Sequence, residues 1–408
     1  MHLSQAGSVA WAAAHVAPAT PGTIAIFVTR QAARGAATPD LLAALRQQLP
    51  GIAKAAAAED VDGAFPAGSI AALDGAGLLR APLRRASGGA GWGIEAAGAA
   101  GLARALRLAG RASLPLGRLY EGHVNALRLV QRHGTAAQAE AAARDAAAGM
   151  LFAVWNTDAP GEQPLAITRD GRLAGRKVLC SGAGFAARAL VTARPEATPE
   201  APPRMLLVPL APGERADITG WTAQGMRASA TGAIEFTGMA LTPDMAIGGP
   251  GDYLGQPDFS AGAWRFAAVQ CGGLEAVLEA LREHLRRTGR GGDPHQAARF
   301  GQAAMAAETA RLWVESAALR AEADPAAADA ATYANLARLA VERAALDLLE
   351  LAQRSVGLAA FLRPNPLERL CRDLATYLRQ PAPDRALGVA AADILAAGPA
   401  PGDLWDRP

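Results

Sequence analysis

Two residue patterns in this chain bear directly on chemistry. Tyr120-Glu121-Gly122-His123-Val124-Asn125 sets a carboxylate, an imidazole and an amide close together on a helix otherwise built of alanine and leucine. Groups of these types either exchange protons and hydrogen bonds with a small molecule or satisfy one another between packed helices. The second pattern is the scatter of Cys180, Cys271 and Cys371, with no CxxC and no cluster of histidine and cysteine. That spacing supports neither a disulfide framework nor a metal site, so no metal is expected and a reducing cytoplasm is the default.

The elements that must hold these residues change character along the chain. From Leu41 to Gly134, alanine, leucine and arginine recur at helical spacing, broken by turn material at Gly63–Pro66 and Gly88–Gly93. From about Met150 the pattern becomes short β-type runs, at Leu151–Trp155, Val178–Cys180, Ala189–Thr192, Met205–Leu210 and Ala233–Phe236, which predict an antiparallel sheet unit. The proline-rich stretch Pro195–Pro203 reads as an exposed loop within that unit. After Gly248–Gly255 long helices return. One is predicted to open at Asp324-Pro325 and to present Leu336, Leu339, Leu346 and Leu349 as a bundle seam. The resulting domains are 1–148, 149–250 and 251–408.

Composition excludes several classes. Of 408 residues, 51% are hydrophobic and 19% charged, which supplies a large core and rules out a disordered chain. The 40 basic and 38 acidic residues leave a net charge of +2, so there is no electrostatic case for a nucleic-acid or membrane-surface partner. A small molecule is the expected partner. Val9–Val28 is apolar but contains Pro18 and Pro21 and lacks a preceding basic region, so neither a membrane span nor a secretory signal is expected there. No GxGxxG follows a strand, which leaves no case for a Rossmann domain.

Four strings, in order, resemble the acyl-CoA dehydrogenase superfamily over most of the chain. The first is Gly63-Ala64-Phe65-Pro66, followed by Leu73–Leu79 and Gly88-Gly89-Ala90-Gly91-Trp92; the second is Gly175-Arg176-Lys177-Val178-Leu179-Cys180-Ser181-Gly182-Ala183. The third, Gly225-Met226-Arg227-Ala228-Ser229 on to Phe236, is the closest match. The fourth joins Gln353-Arg354-Ser355-Val356-Gly357 to Pro366-Leu367-Glu368-Arg369-Leu370-Cys371-Arg372-Asp373.

The resemblance implies an α+β fold, with an N-terminal helical domain, a middle β-barrel domain and a C-terminal four-helix bundle. It also implies FAD held between the last two domains, and a homodimer or homotetramer. In that setting Trp155 would pack on the flavin ring, and the Thr157 and Ser181 hydroxyls would reach its polar edge. Arg290 would meet the diphosphate of a neighbouring subunit's FAD, since an arginine fork suits a phosphate pair, with Gln353 and Gly357 receiving the nucleotide. Glu121, His123, Asn125 and Tyr377 would line the substrate cavity.

One departure from the family pattern bears on the reaction. The family's α-proton base is a glutamate eight residues after the aspartate of the arginine-aspartate pair. Counting from Asp373 brings Gln380 and then Pro381 to that place, and neither takes a proton. The alternative base position, within Ala261–Ala268, holds no acid; the nearest carboxylates are Asp258 and Asp384. The resemblance therefore implies either an oxidoreductase acting on an acyl-CoA or similar substrate, with an unidentified electron acceptor, or a flavin monooxygenase of the dibenzothiophene monooxygenase type. A non-catalytic relative that keeps the fold is the third reading.

Overall fold

Helices come first, as the alanine and leucine spacing predicts. In the computed structural model, which describes residues 40–324 and 327–406, they are α1 (Leu41–Ala58), α2 (Ala67–Gly75), α3 (Ala99–Ala112), α4 (Leu114–His133) and α5 (Ala136–Ala147). The Val9–Val28 segment and the rest of the first 39 residues lie outside the described residues. Helix α4 starts cleanly: the Ser113 hydroxyl accepts from the Leu116 amide, and Pro115 occupies a first-turn position that needs no donor. It is buried on nearly every side, so its polar side chains must find partners inside the protein.

All five runs read as strands form: β1 (Phe152–Trp155), then β2 (Ala166–Ile167), β3 (Leu173–Ala174), β4 (Arg176–Cys180), β5 (Arg188–Pro195), β6 (Arg204–Pro209), β7 (Ala216–Asp217), β8 (Gly232–Glu235) and β9 (Ala246–Ile247). The sequence did not signal the two-residue strands β2, β3, β7 and β9, which are too short to show alternation. The unit is two sheets. One runs β3-β2-β5-β6-β9 with β1 also on β5; the other is β4-β8-β7. A purely antiparallel sheet is corrected here, because β1 and β2 both pair with β5 in parallel. The chain between β1 and β5 makes the crossover that parallel pairing demands. The sheets share one core, in which Trp155, Val191, Leu206 and Val208 meet Cys180, Ile234 and Phe236.

The chain then returns to helix with α6 (Asp258–Ala261), α7 (Trp264–Arg287), α8 (Pro294–Ala323), α9 (Ala328–Val356), α10 (Pro366–Tyr377) and α11 (Pro383–Ala396). Helix α9 begins at Ala328, after the Asp324-Pro325 start read from sequence; Pro325 itself lies outside the described residues. Its buried seam also differs from the leucine spacing. Ala334, Ala337, Val341, Ala345, Leu348 and Ala352 are sealed against the bundle, as is Leu349 of the expected seam, while Leu336, Leu339 and Leu346 are half-buried. Alanine on α9 faces alanine on α8, where Ala303, Ala310, Ala317 and Ala318 are buried, so the two helices pack closely and the larger leucines are displaced to the margin.

Helices α3 and α7 also pack closely, backbone to backbone, at their glycines. A Cβ on Gly272 would stand 2.0 Å from the Arg107 carbonyl oxygen, and one on Gly110 would stand 2.3 Å from that of Val269. Among the described residues no helix is long and apolar enough to cross a membrane, and no group of three histidine, cysteine or acidic residues is placed to hold a metal.

Candidate functional site

A narrow cleft with about 10 Å³ of free space lies where the end of β1 and the turn after β4 meet α4. Its walls are Phe152, Ala153, Val154 and Trp155 from the strand, Ser181 from the turn, and Arg118, Leu119 and Gly122 from the helix, with Leu151 at the base. The free space is room for about one water molecule, far short of the roughly 300–1,000 Å³ of a drug-sized ligand pocket, so in this structure the cleft is closed by its own side chains.

Two residues singled out from sequence are brought together here. Trp155 is almost fully buried, and its indole N–H donates to the Ser181 carbonyl at 3.0 Å. The Ser181 hydroxyl stands 3.3 Å from the Thr231 hydroxyl and accepts from Arg118 Nε at 3.4 Å. The third, Thr157, is exposed and is not among the residues lining the cleft; its carbonyl accepts from the Val178 amide. Asp158, beside it, is bound to the buried Lys177 ammonium at 2.5 Å. A bulge in β4 leaves Leu179 with φ +55° and its side chain facing solvent.

Below the cleft lies a ladder of charges that sequence spacing does not reveal. Arg118 Nη1 binds Glu121 at 2.5 Å, and the Asn125 amide also donates to Glu121. Asn125 Oδ1 accepts from Arg265 Nε at 2.6 Å, Arg265 donates to Glu322 at 2.9 Å, and Glu322 faces Arg128 at 3.6 Å. Arg128 in turn binds Asp258 at 2.8 Å, with Arg132 at 3.5 Å. Burial raises the Asp258 pKa, but Arg128 and Arg132 outweigh it and hold the carboxyl below its usual range. Glu121 and Asn125 are therefore members of this ladder, consistent with the reading as polar contacts between helices. Only i,i+3 spacing tied Arg118 to Glu121 beforehand; the partners on α7 and α8 are more than a hundred residues away.

His123 is corrected as a cavity residue. It is fully buried, its Nε2 bonds the Leu79 carbonyl at 2.8 Å, and its Nδ1 accepts from the Phe152 amide at 3.1 Å. Both ring nitrogens are spent on backbone, and burial lowers its pKa to about 4. Its neighbour Gly122 lines the cleft instead.

Tyr377, at the end of α10, has a buried hydroxyl that makes no well-formed hydrogen bond, although Arg118 stands close enough to interact with it. Burial, reinforced by the Glu121 charge and opposed by Arg118, raises its pKa well above the usual phenol value. Its carbonyl is held by Gln270 at 2.9 Å and by Gln380 at 2.8 Å. Tyr253, absent from the sequence reading, feels the same Arg118 and Glu121 charges, and burial pushes its hydroxyl up to about 12.

Gln380 is thus a structural clamp, and the Pro381 carbonyl accepts from Arg338. Asp384 stands exposed in the first turn of α11 and is not among the residues lining the cleft. Arg290, Gln353 and Gly357 form a separate group. Arg290 donates to the Ser355 carbonyl at 3.4 Å, at the end of α9, where Gly357 takes φ +75° and ψ −153°, a conformation closed to other residues.

The third and fourth strings meet as a joint between the sheet unit and α10. Asp373 accepts from the Met226 amide at 2.7 Å, and a Cβ on Gly225 would lie 2.2 Å from the Arg372 carbonyl oxygen. A second narrow cleft beside this joint, with about 10 Å³ of free space, is lined in part by Arg227 and Arg369. Both are neutralised, by Asp62 at 2.5 Å and by Asp373 at 3.3 Å.

Known proteins were compared with this geometry. Residues 253–378 match the family described as acyl-CoA dehydrogenase, C-terminal domain. No curated protein sequence matches the chain. Among solved structures, FMN-bound TdsC from Paenibacillus sp. A11-2, a dibenzothiophene monooxygenase, is similar with a TM-score of 0.76 and 19% identity, covering 87% of this chain and 97% of that one. KijD3 in complex with FMN and an amino-keto dTDP-sugar gives 0.75 and 25%, covering 87% and 93%. Butyryl-CoA dehydrogenase from Megasphaera elsdenii gives 0.74 and 18%, covering 89% and 100%.

Proposed function

From the premise that this chain has the acyl-CoA dehydrogenase fold, with that family's C-terminal domain over residues 253–378, we propose that it is a flavin-dependent oxidoreductase acting on a small molecule. We infer further that it works as a monooxygenase with reduced flavin delivered by a separate reductase. Trp155, Ser181 and Arg118 are residue types that could face a flavin ring and its polar edge, but Trp155 is buried and the cleft is closed by its own side chains, so these would have to move apart to admit the ring. When bound and reduced, a flavin supplies the activation of dioxygen.

The observation that carries monooxygenation over acyl-thioester dehydrogenation is the state of the acids. The cleft lining contains no carboxylate, and Glu121 behind it is committed to Arg118 and Asn125. An α-proton base must reach its proton within hydrogen-bond distance, and the places where the family keeps that base hold Gln380 and Pro381. Titrating the protein with FMN and with FAD decides which flavin it takes; the FMN complexes of TdsC and KijD3 favour FMN over the FAD expected from the sequence. If FAD is the flavin taken, Arg290, Gln353 and Gly357 are proposed to receive its diphosphate and nucleotide half from a second copy of the chain, which light scattering on the purified protein would detect as a homo-oligomer.

The deciding experiment is rapid mixing of the reduced holoprotein with oxygen, alongside anaerobic mixing of the oxidised holoprotein with acyl-CoAs of several lengths. The proposal expects protein-bound flavin to reoxidise on a course distinct from free flavin and no acyl-CoA to bleach it. Bleaching by an acyl-CoA, or reoxidation identical to that of free flavin, would overturn monooxygenation in favour of dehydrogenation or of a non-catalytic role.

A further inference from the structure

We propose that the outer face of α8 is a self-association surface, on which a second copy of this chain seats its own α8 antiparallel about a two-fold axis at Leu312. The contact uses neither the cleft nor Arg290, so it stands whether or not a flavin binds. It goes beyond the homo-oligomer proposed above by naming a surface and a register.

Helix α8 has two contrasting faces. The inner one is sealed in the bundle through Ala303, Ala307, Ala310, Val314, Ala317 and Ala321. On the opposite side Met305, Leu312 and Leu319 lie 71%, 53% and 53% exposed, at seven-residue steps that align them along the helix over about 21 Å. A surface helix ordinarily turns charge to water and its large apolar side chains to the core. Here the large apolar side chains are outside and alanine is inside.

The charges of α8 do not relieve this face. Between Gly301 and Ala323 they are Glu308, Arg311, Glu315, Arg320 and Glu322. Arg311 binds Glu308 and Glu315 along the helix, Arg320 lies over the Tyr333 ring of α9, and Glu322 is buried against Arg265. Beside the apolar line stand Gln302, Thr309 and Ser316, which are polar but uncharged. A contiguous apolar stripe of this kind on a protein surface marks an interaction site.

The order of residues identifies the occupant. Counting outward from Leu312, Met305 and Leu319 stand seven residues away on either side, and Gly301 and Ala323, both exposed, stand eleven away. The pattern small, large, large, large, small reads the same in both directions. An antiparallel copy turned about Leu312 sets Met305 on Leu319, Gly301 on Ala323 and Leu312 on itself, which is the self-complementarity that a two-fold contact requires. The small residues at the ends let the backbones approach: a Cβ on Gly301 would meet nothing within 4 Å in this chain. A lipid surface fits less well, because helices that lie on membranes flank the apolar face with several lysines or arginines, whereas Arg311 stands between two glutamates.

The test uses the full chain as purified. Its three native cysteines are buried, so one introduced cysteine reports on the surface. Under mild oxidation L312C is expected to give a disulfide-linked dimer, because the axis brings the two copies of that residue within disulfide reach, while T198C, in the exposed loop after β5, gives none at the same concentration. M305C and L319C are expected to cross-link when mixed and not when each is alone. L312E sets two carboxylates against each other and is expected to raise the self-dissociation constant, read by sedimentation equilibrium, by roughly a hundredfold or more. If L312E fails to fold, the cysteine variants still decide. A monomeric wild type, an L312C that yields no more dimer than T198C, or a folded L312E that associates like the wild type would each overturn the proposal. Cross-linking of M305C alone as readily as the mixed pair would overturn the antiparallel register.

Discussion

His123 makes a prediction whose size follows from the structure. Its ring is buried in the neutral form between the Leu79 carbonyl and the Phe152 amide, and burial lowers its pKa from 6.5 to about 4. A proton added to Nδ1 would face the Phe152 N–H, placing two donors against each other. Between the two pKa values the unfolded chain binds a proton that the folded chain refuses, so stability rises with pH across this window and is fully present above 6.5. The slope approaches about 1.4 kcal/mol per pH unit within the window, giving a loss of roughly 2 kcal/mol on going from pH 7 to pH 5. Other groups titrate over the same range, so the comparison is with H123Q, which cannot titrate there. Urea unfolding of both proteins at several pH values should show their stability difference changing by that amount, with the wild type losing more as pH falls. Parallel curves would refute the argument, because they would mean that the imidazole is not held neutral in the folded state.

Other substitutions test separate joints. Y377F removes a hydroxyl that makes no well-formed hydrogen bond, so thermal melting should show unchanged or higher stability, by up to about 1 kcal/mol; a marked loss would mean that the hydroxyl is satisfied. G225A drives a Cβ to 2.2 Å from the Arg372 carbonyl oxygen and should destabilise by roughly 1–3 kcal/mol in urea, with no loss expected if that joint is loose. E322A removes the acid paired with the buried Arg265 guanidinium, while Arg128 keeps Asp258, and should cost about 3–5 kcal/mol, whereas a loss below 1 kcal/mol would show that solvent reaches the ladder.

Legibility from sequence followed the range of the signal. The order of helices, sheet unit and helices was readable because periodicity is local, and all five longer β runs formed strands. The parallel pairing of β1 with β5 was not readable, since it depends on how some thirty intervening residues cross over. The α9 seam misled because leucine was taken as the core marker in a chain whose helices pack through alanine. Trp155 and Ser181, read from neighbouring strings, do line the cleft, whereas Tyr377, read from its distance past Asp373, does not. Arg118 was missed, and His123 misjudged, for one reason. On a helix buried nearly all round, spacing alone does not say which side chains face a ligand and which face backbone; that depends on Arg265 and Leu79, far away in the chain.

The central claim is that a flavin ring occupies the cleft between the end of β1, the turn after β4 and α4. Its most direct test is a crystal structure of the chain grown with reduced FMN. The account predicts ring density against the Trp155 indole, with a ring heteroatom within hydrogen-bond distance of the Ser181 hydroxyl. A ring bound elsewhere, or a cleft still closed by its own side chains at saturating FMN, would contradict it.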